Sequence, residues 1–331
     1  MSPIDYAQIE AAAQRISPYA TVTPIFQSRM LNSWFGHEIY FKAECLQRGG
    51  AFKFRGAINT LSWLQEQGKL PCKVVANSSG NHAQAVALAA NLFGIEAEIY
   101  TAKNVSKVKA AATEYYGATL NMFETRAEAD HQVKLAAEQD GVYWLPPFNH
   151  QQVIAGQGTV AYEALQQVEG INAIFAPCGG GGLLSGTLLA TRHLAPEADV
   201  VGVEPELGND AMQSLQQGKI VRLPESPKTL ADGAATLAVG DLTFPYLQQL
   251  DDFYTVEEEQ IAYWTQWLQH LLKLHVEPTS AMSMAAVAAW LQQQNTPQKV
   301  MVILSGGNID NSKMQQLWQQ DYLQQMPILV D

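Results

Sequence analysis

Residues 41–57, FKAECLQRGGAFKFRGA, place Lys53 between two phenylalanines, shortly after a pair of glycines. Paired glycines allow the backbone to turn sharply, and apolar residues recur at helical spacing after them. Lys53 is therefore predicted at a junction between a loop and a helix. Partial desolvation by Phe52 and Phe54 favours a neutral amine, the form that a Schiff base requires. From this stretch alone, Lys53 could equally be a surface lysine whose aliphatic stem covers the aromatic rings.

The overall charge limits the partners of the chain. Its 331 residues suffice for one large or two ordinary domains. They include 20 basic and 32 acidic residues, a formal net charge of −12, with no block of lysines or arginines. Duplex nucleic acid and anionic membranes are thus poor partners, because both attract clustered positive charge. Any phosphate that the protein binds must be held locally.

The cysteines and the first residues indicate the compartment. Cys45, Cys72 and Cys178 are too few and too scattered for a disulfide framework or a zinc site. We interpret them as buried thiols, which fits a reducing compartment. No run approaches the roughly 20 apolar residues of a membrane span. Residues 2–16, SPIDYAQIEAAAQRI, predict a capped helix and not a signal peptide. A cytoplasmic protein is expected.

Strand-like runs alternate with helical stretches along most of the chain. After the strand-like run EIYFKAE, one set comprises KVVANS, AEIYTA and ATLNMF with helices between and after them, the last over residues 126–139. The alternation restarts near Pro146 with AIFAP, VVGVEP and KVMVIL. This pattern predicts parallel sheets with helices on their faces. The fold class is therefore α/β, with two lobes that each contain a mainly parallel sheet flanked by helices.

The order of these sets predicts the domain organisation. EIYFKAE precedes the first set and has no sheet of its own, so we expect it to join the second sheet. Residues 67–145 would then form a small α/β domain, inserted in a large domain of residues 1–66 and 146–331. Residues 217–252 contain several prolines and little periodicity, and a loop-rich segment is predicted there.

Four consecutive glycines, residues 179–182, follow the strand AIFAP and Cys178, and a helix is predicted from Leu183. Each glycine costs roughly 0.5–1 kcal/mol of chain entropy, so the run suggests a need for backbone N–H groups without side chains. A phosphate at a helix N-terminus meets that need. G-x-G-x-x-G is absent and Gly186 precedes Thr187 instead of a P-loop lysine, which argues against a nucleotide. A flexible turn is the alternative.

Two further loops follow predicted strands, where ligands collect in parallel sheets. Residues 78–82, SSGNH, place hydroxyls and free amides at a helix start, which suits a carboxylate as well as simple capping. Residues 305–308, SGGN, follow KVMVIL, and Ser305 would project a neutral hydroxyl into a cleft. Taken singly, either loop is compatible with an ordinary turn.

Together, these loops resemble the fold-type II pyridoxal-phosphate enzymes, in the branch of threonine/serine dehydratases and serine racemases. The resemblance extends over nearly the whole chain, in the motifs KAECLQRGGAFKFRGA, SSGNHAQAVA, PPFNHQQVIAGQGT, GGGGLLSG, GVEP, LADG, HVEPTSA and LSGGN. It implies a fold like that of the tryptophan synthase β subunit, with pyridoxal 5'-phosphate in the cleft between the lobes. It also implies a homodimer that acts on amino acids.

The resemblance assigns cofactor contacts residue by residue. Lys53 forms the Schiff base, Phe52 packs on the pyridine ring and Asn81 bonds the ring hydroxyl. Ser305 faces the pyridine nitrogen, and Gly233 of LADG lines the cofactor pocket. The phosphate is held by the glycine loop, which comprises Gly179, Gly180, Gly181 and Gly182.

Substrate contacts are implied in the same way. The carboxylate loop comprises Ser78, Ser79, Gly80, Asn81 and His82, with Gln84 behind it. Ser79 matches the position that serves the opposite face of Cα in racemases, so it permits racemisation without establishing it. Arg126 lies roughly where some racemases and hydroxyaspartate dehydratases bind the substrate side chain, although its spacing to Asn149 differs from the family pattern.

A metal site is implied by Glu204 in GVEP with Gly208 and Asp210. Relatives bind Mg²⁺ or Ca²⁺ at this spacing through two carboxylates, a backbone carbonyl and waters, and Mn²⁺ is a further alternative. Without the resemblance, these acidic residues would be interpreted as a strand end and a helix cap.

The function that the resemblance implies is that of a lyase converting L-threonine and L-serine to 2-oxobutanoate and pyruvate plus ammonia. The alternatives are a serine racemase and a 3-hydroxyaspartate dehydratase on the same scaffold. A β-replacement enzyme of the cysteine-synthase kind fits less well, because SSGNH differs from the loop expected there. A non-catalytic phosphate-binding module would leave Lys53 and Ser305 without a joint purpose.

Overall fold

The computed structural model describes residues 3–78, 80–103, 105 and 107–329, which form two β-sheets with helices on their faces. The strands are β1 Ile25–Phe26, β2 Glu38–Ala43, β3 Lys73–Asn77, β4 Glu96–Ala102, β5 Thr119–Phe123, β6 Val142–Trp144, β7 Ala173–Pro177, β8 Asp199–Pro205, β9 Asp252–Val256 and β10 Lys299–Leu304.

The helices occupy most of the intervening chain. They are α1 Tyr6–Ile16, α2 Arg29–Phe35, α3 Lys53–Glu66, α4 Asn81–Phe93, α5 Lys107–Tyr115, α6 Arg126–Ala137, α7 Gln151–Gln167, α8 Gly182–Leu194, α9 Asp210–Gln217, α10 Phe244–Leu247, α11 Glu258–Leu272, α12 Pro278–Ala281, α13 Ser283–Leu291 and α14 Asn311–Leu317. None in the described part is long and apolar enough to cross a membrane.

The larger sheet has the strand order β1-β2-β10-β7-β8-β9 and is parallel except for the short β1. The smaller sheet has the order β5-β4-β3-β6 and is entirely parallel. The predicted α/β class with two mainly parallel sheets is confirmed. All four strands of the smaller sheet fall between β2 and β7 in the chain. This order supports an inserted domain, whose boundaries at residues 67–145 stay a prediction.

The core of the larger sheet lies around β7 and β10. Alternate residues of these strands pack on opposite faces, as strand geometry requires. Phe175 and Val302 contribute to the hydrophobic cluster with α11 and α13, whereas Ile174 and Met301 contribute to the one with α8. Because helices cover both faces of the sheet, these strands are continuously apolar. Ligands can therefore reach them only beyond their carboxyl ends.

Helices α3, α7 and α8 pack unusually closely through glycines. A Cβ atom on Gly156 of α7 would overlap the backbone carbonyl of Arg55 in α3. A Cβ on Gly158 would lie 2.9 Å from the Cα of Gly186 in α8. The close packing fixes α3, the helix that begins with Lys53, against the helix that follows the glycine loop.

The structure differs from the sequence prediction in several local features. Helix α1 begins at Tyr6 and not at Ser2 or Pro3, because the Asp5 side chain accepts the Gln8 N–H in a capping box. The prediction of a buried thiol is confirmed for Cys178, whereas Cys45 is half-buried and Cys72 is exposed, so it was wrong for those two. The predicted helix after the glycines begins at Gly182, one residue early.

Candidate active site

Lys53 lies where the loop after β2 meets the loop after β10. Gly49 and Gly50 have φ values of 72° and 73°, a left-handed conformation that glycine adopts without steric cost. The chain then turns, and the Phe52 N–H donates to the Ser305 carbonyl oxygen at 2.9 Å. Lys53 follows as the first residue of α3, as predicted.

Arg55 anchors the start of α3 through buried ion pairs. Its Nε and Nη2 atoms each lie 2.8 Å from a carboxylate oxygen of Glu44, and Nη2 also contacts Glu163 at 3.0 Å. Both Arg55 and Glu44 are buried, and the fork geometry of the pair is the strong form of such contacts. The backbone that carries Lys53 is therefore fixed by a side chain two residues away.

The Lys53 amine lies at the wall of a cavity, largely shielded from bulk water. Its Nζ donates to the Pro147 carbonyl oxygen at 2.8 Å and lies 5.0 Å from the centre of the Phe52 ring. Burial lowers the pKa of the amine to about 7, although the charge of Glu277 acts to raise it. The residue as a whole is half-buried because its amine end faces a cavity. A large fraction of the amine is thus neutral near pH 7.

That cavity, of about 400 Å³, lies between the carboxyl ends of the two sheets. Its lining brings together predicted residues from both lobes, namely Phe52, Lys53, Ser78, Gly80, Asn81, His82, Arg126, Gly179, Gly180, Gly181, Gly182, Gly233 and Ser305. Gln84 is buried and is not part of this lining. Ser79 lies outside the described residues.

The glycine loop is fixed by packing rather than flexible. A Cβ on Gly180 would overlap the Phe148 ring, and one on Gly182 would overlap the side-chain oxygen of Gln157. Gly181 has φ 88° and precedes the first residue of α8. The N–H groups of the loop and of the first turn of α8 thus border the cavity without side chains above them, and the arrangement suits a phosphate.

Asn81 is held by two loop residues, one just before α12 and one after β10, and the sequence analysis missed the first of them. Its Nδ2 donates to the Glu277 carboxylate at 3.0 Å, and its Oδ1 accepts from Asn308 Nδ2 at 2.9 Å. The amide orientation is therefore unique. Burial, assisted by the charge of Asp232, raises the pKa of Glu277 to about 7. The HVEPTSA motif was the only sequence signal for Glu277.

His82 limits how SSGNH can bind a carboxylate. Its Nε2 lies 2.8 Å from the Leu145 carbonyl oxygen, so Nε2 carries the proton, and the buried Nδ1 has no partner in the described part. Burial lowers the pKa of His82 to about 3. The ring is neutral and offers a lone pair, which repels a carboxylate. The free N–H groups in the first turn of α4 are the better donors.

Ser305 provides a neutral group at the carboxyl end of β10. Its residue is 1% exposed, and its Oγ lies 3.0 Å from the Oγ of Ser280. Ser280 also hydrogen-bonds the backbone of Gly306. The hydroxyl is thus held in place and carries no charge.

Arg126 is the first residue of α6 and lines the cavity from the smaller sheet. It makes no ion pair or hydrogen bond with any residue that the structure describes, and it is exposed. A cation at a helix N-terminus is disfavoured by the helix dipole. The position therefore favours an added anion.

The predicted metal residues lie outside the cavity, beneath the glycine loop. Glu204 and Asp210 are each 1% exposed. Burial raises the pKa of Glu204 to about 9 and that of Asp210 to about 7. Glu204 accepts the N–H groups of Ala211 and Met212. Neither carboxylate oxygen of Asp210 has a hydrogen bond of good geometry in the described part, although the Thr236 hydroxyl is near enough to favour its ionised form.

Two buried carboxylates with unfilled bonding capacity fit a hard divalent cation. No group of three or more His, Cys, Asp or Glu side chains suited to a metal occurs among the described residues. Any further ligands at Glu204 and Asp210 would therefore be backbone carbonyls or waters, and Gly208 in the Glu206–Gly208 turn is adjacent.

Comparison with known proteins agrees with this geometry. Residues 16–306 match the family model described as pyridoxal-phosphate dependent enzyme. The L-threo-3-hydroxyaspartate ammonia-lyase of Saccharomyces cerevisiae is 44% identical over 308 residues, 92% of this chain and 93% of that protein. The serine racemase of Schizosaccharomyces pombe is 41% identical, over 92% of this chain and 94% of that protein.

A solved structure shows the same architecture. The serine racemase of maize superposes with a TM-score of 0.89 and 37% identity, over 95% of this chain and 97% of that protein. Family match, sequence identity and fold agree over most of the chain. The chain belongs to the pyridoxal-phosphate-dependent enzymes, in the fold-type II group that its motifs resemble.

Proposed function

We propose that this enzyme is an ammonia-lyase whose preferred substrate is L-threo-3-hydroxyaspartate, which it converts to oxaloacetate and ammonia. The sequence motifs favoured threonine and serine, with hydroxyaspartate as an alternative. The yeast relative and the unpaired Arg126 favour the alternative. Serine and threonine remain expected as poorer substrates, because they share the amino group, the α-carboxylate and the β-hydroxyl.

The residues of the cavity fit the cofactor. Pyridoxal phosphate, when bound, supplies an aldehyde that condenses with an amine and a ring that draws the electron pair from Cα. The N–H groups of the glycine loop would bind its phosphate. Phe52 would pack on the ring, Asn81 would bond the ring hydroxyl, Ser305 would face the ring nitrogen and Gly233 would line the pocket.

Lys53 would bind the cofactor and then move the substrate proton. When it is not bound to the cofactor, the Lys53 amine has a pKa of about 7, so about half of it would be neutral at pH 7. It can then take the proton from Cα as a general base. Loss of the β-hydroxyl as water, followed by hydrolysis that consumes one water, yields the 2-oxo acid and ammonia.

The N-termini of α4 and α6, two helices that pack on the smaller sheet, would hold the two carboxylates of the substrate. The first-turn N–H groups of α4, together with the Ser78 hydroxyl, suit the α-carboxylate. Arg126 suits the β-carboxylate, because a guanidinium binds a carboxylate through two parallel hydrogen bonds. Serine lacks that second carboxylate and would leave Arg126 unused.

The unpaired Arg126 on the cavity wall carries the choice of substrate. Arg126→Ala should raise the KM for L-threo-3-hydroxyaspartate by about 10- to 100-fold, the range for a lost charged hydrogen-bonded pair, and change the KM for L-serine less than threefold. The measurement is 2-oxo acid release from both substrates by the wild type and the variant. Equal effects on both substrates would contradict the proposed preference.

Serine racemisation is the second candidate, favoured by the 41% identity to a serine racemase. Racemisation needs a proton donor on the face of Cα opposite Lys53, and Ser79 is the residue that the sequence assigns to it. Ser79→Ala should reduce D-serine formation at least tenfold more than pyruvate formation, measured by chiral chromatography of the same reaction. A parallel loss of both products would contradict this role.

We also propose that Glu204 and Asp210 hold a divalent cation, with Mg²⁺ as the first candidate and Ca²⁺ or Mn²⁺ as alternatives. The ion would offset two buried negative charges beside Cys178, which precedes the glycine loop. Chelation should lower the Tm of the protein, and added Mg²⁺ should restore it. Asp210→Asn, which removes one charge, should abolish the response to Mg²⁺; a variant that still responds would contradict the site.

A further inference from the structure

We propose that Asn77 and Trp144 are positioning residues that keep Asp130 away from Arg126 and thereby preserve the enzyme's affinity for a dicarboxylic substrate. The proposal rests on the proposed function, since it assumes that Arg126 binds the second carboxylate. It concerns residues that do not touch the reacting atoms. Its basis is the arrangement of charges on the cavity wall formed by the smaller sheet.

Asp130 is the natural competitor for Arg126. Both residues lie on α6 at positions i and i+4, so they share one face of the helix at about 5–6 Å between Cβ atoms, and both line the cavity. Opposite charges at this spacing commonly pair. No such pair forms here.

Asn77 accounts for the missing pair. Its Nδ2 donates to Asp130 Oδ1 at 2.7 Å, and its Oδ1 accepts from Trp144 Nε1 at 3.0 Å. An indole N–H can only donate and a carboxylate can only accept, so the amide has one possible orientation. Asn77 ends β3 and Trp144 ends the neighbouring β6. The rigid edge of the smaller sheet therefore holds the carboxylate of Asp130.

The other acidic residues of the cavity are engaged as well. Glu124 pairs with Lys103, Asp232 with Lys109 and Glu277 with Asn81. Each acidic residue that lines the cavity in the described part of the chain thus has a partner other than Arg126. Release of Asp130 would supply an internal anion that competes with the β-carboxylate of the substrate.

The test compares the KM for L-threo-3-hydroxyaspartate with the KM for L-serine as a ratio, on the holoenzyme. Asn77→Ala should raise this ratio by about 2- to 6-fold, because an exposed Arg–Asp pair is weaker than a bidentate contact with substrate, while kcat for hydroxyaspartate changes less than threefold. The double variant Asn77→Ala/Asp130→Asn should return the ratio to the wild-type value. The Kd of succinate, measured by calorimetry, should follow the same order.

Several results would overturn the proposal. If Asn77→Ala raises the ratio but Asp130→Asn does not restore it, the effect comes from a displaced β3 and not from Asp130. If Asn77→Ala leaves the ratio unchanged whereas Arg126→Ala raises it, Asp130 does not compete and the proposed function stands. If Arg126→Ala also leaves it unchanged, the proposed function itself fails. Should Asn77→Ala not fold, Trp144→Phe removes the donor that orients Asn77, and the proposal requires a rise of at least twofold.

Discussion

Lys53 is suited to its proposed role by its surroundings rather than by its residue type. An ordinary lysine is protonated at neutral pH and cannot attack an aldehyde. Burial at the cleft removes the water that would stabilise its charge, whereas the charge of Glu277 acts in the opposite direction. The balance places the pKa near 7, where the amine can serve as nucleophile and then as base.

The pH dependence of cofactor binding tests this balance. Only the neutral amine reacts, and its fraction rises with pH through the pKa, so the rate at which apoprotein combines with pyridoxal phosphate should have a midpoint near pH 7. Glu277→Gln should move the midpoint to lower pH, because it removes the charge that raises the pKa of Lys53. Stopped-flow absorbance measures the rate. A midpoint near pH 10 in the wild type would contradict the assignment.

At the level of single residues, the sequence predicted those that lie in recognisable motifs. Asn81 and the glycine loop come shortly after the ends of β3 and β7, so their places at the cleft follow from the topology of a parallel sheet. Lys53 lies beyond two short turns that follow β2, and its motif was the signal for its place. The partner of Asn81 could not be predicted in the same way, because Glu277 lies 196 positions away along the chain. Gln84, predicted behind the carboxylate loop, is buried and does not line the cavity, so its role in substrate binding stays a prediction.

At the level of elements, the glycine loop shows two separate uses of a missing side chain. Gly179 and Gly181 border the cavity, where N–H groups must remain accessible to a phosphate. Gly180 and Gly182 also make room for Phe148 and Gln157 from the segment around the start of α7. The loop thus leaves room for a phosphate on one side and for packing on the other.

Gly180→Ala should therefore weaken cofactor binding without unfolding the protein. The added Cβ would overlap the Phe148 ring and displace the glycine loop, so we expect the Kd of pyridoxal phosphate to rise at least tenfold. Gly218→Ala is the control, because Gly218 has φ 66° with no atom within 4 Å of its added Cβ. It should cost about 1 kcal/mol of stability and leave the Kd within twofold. The Kd of each variant is measured by fluorescence titration of its apoprotein. Unchanged binding by Gly180→Ala would contradict the role of the glycine loop in cofactor binding.

Elements within the recognised alternation of strands and helices were predicted more completely than those outside it, where helix α11 and strand β9 were not predicted. The predicted strands KVVANS and KVMVIL and the predicted helix after the glycine loop agree with the structure to within a residue or two. The strand β6 has three residues and was missed, because so short a run has no detectable alternation. It matters for the site, since Trp144 in β6 orients Asn77.

At the level of the whole molecule, the cavity depends on the two sheets being held together. The Nζ of Lys109 in α5 lies 2.7 Å from Asp232, in the turn that also contains Gly233. Burial alone would lower the pKa of Lys109, but the charges of Asp232 and Glu277 outweigh it and the pKa is raised. Lys109 therefore stays charged at neutral pH, and its contact with Asp232 connects the smaller sheet to the larger across the cleft.

Lys109→Ala should loosen this connection. We expect the KM for the amino-acid substrate to rise by about 3- to 10-fold, a range typical of a partly buried charged hydrogen bond, while kcat changes less. Lys73→Ala is the matched control, because the ion pair of Lys73 with Glu98 stays within the smaller sheet. Steady-state kinetics of both variants give the comparison. A similar effect in both would mean that the cross-cleft pair has no special role.

The most direct test of the account is to identify the lysine that carries the cofactor. Among the described residues, the cavity is lined by two lysines, Lys53 and Lys109, and the account requires the first. Borohydride reduction of the holoenzyme, digestion and mass spectrometry should place the pyridoxyl group on Lys53, with none detected on Lys109. Recovery of the group on Lys109, or on any lysine of a Lys53→Ala variant at wild-type yield, would contradict the account.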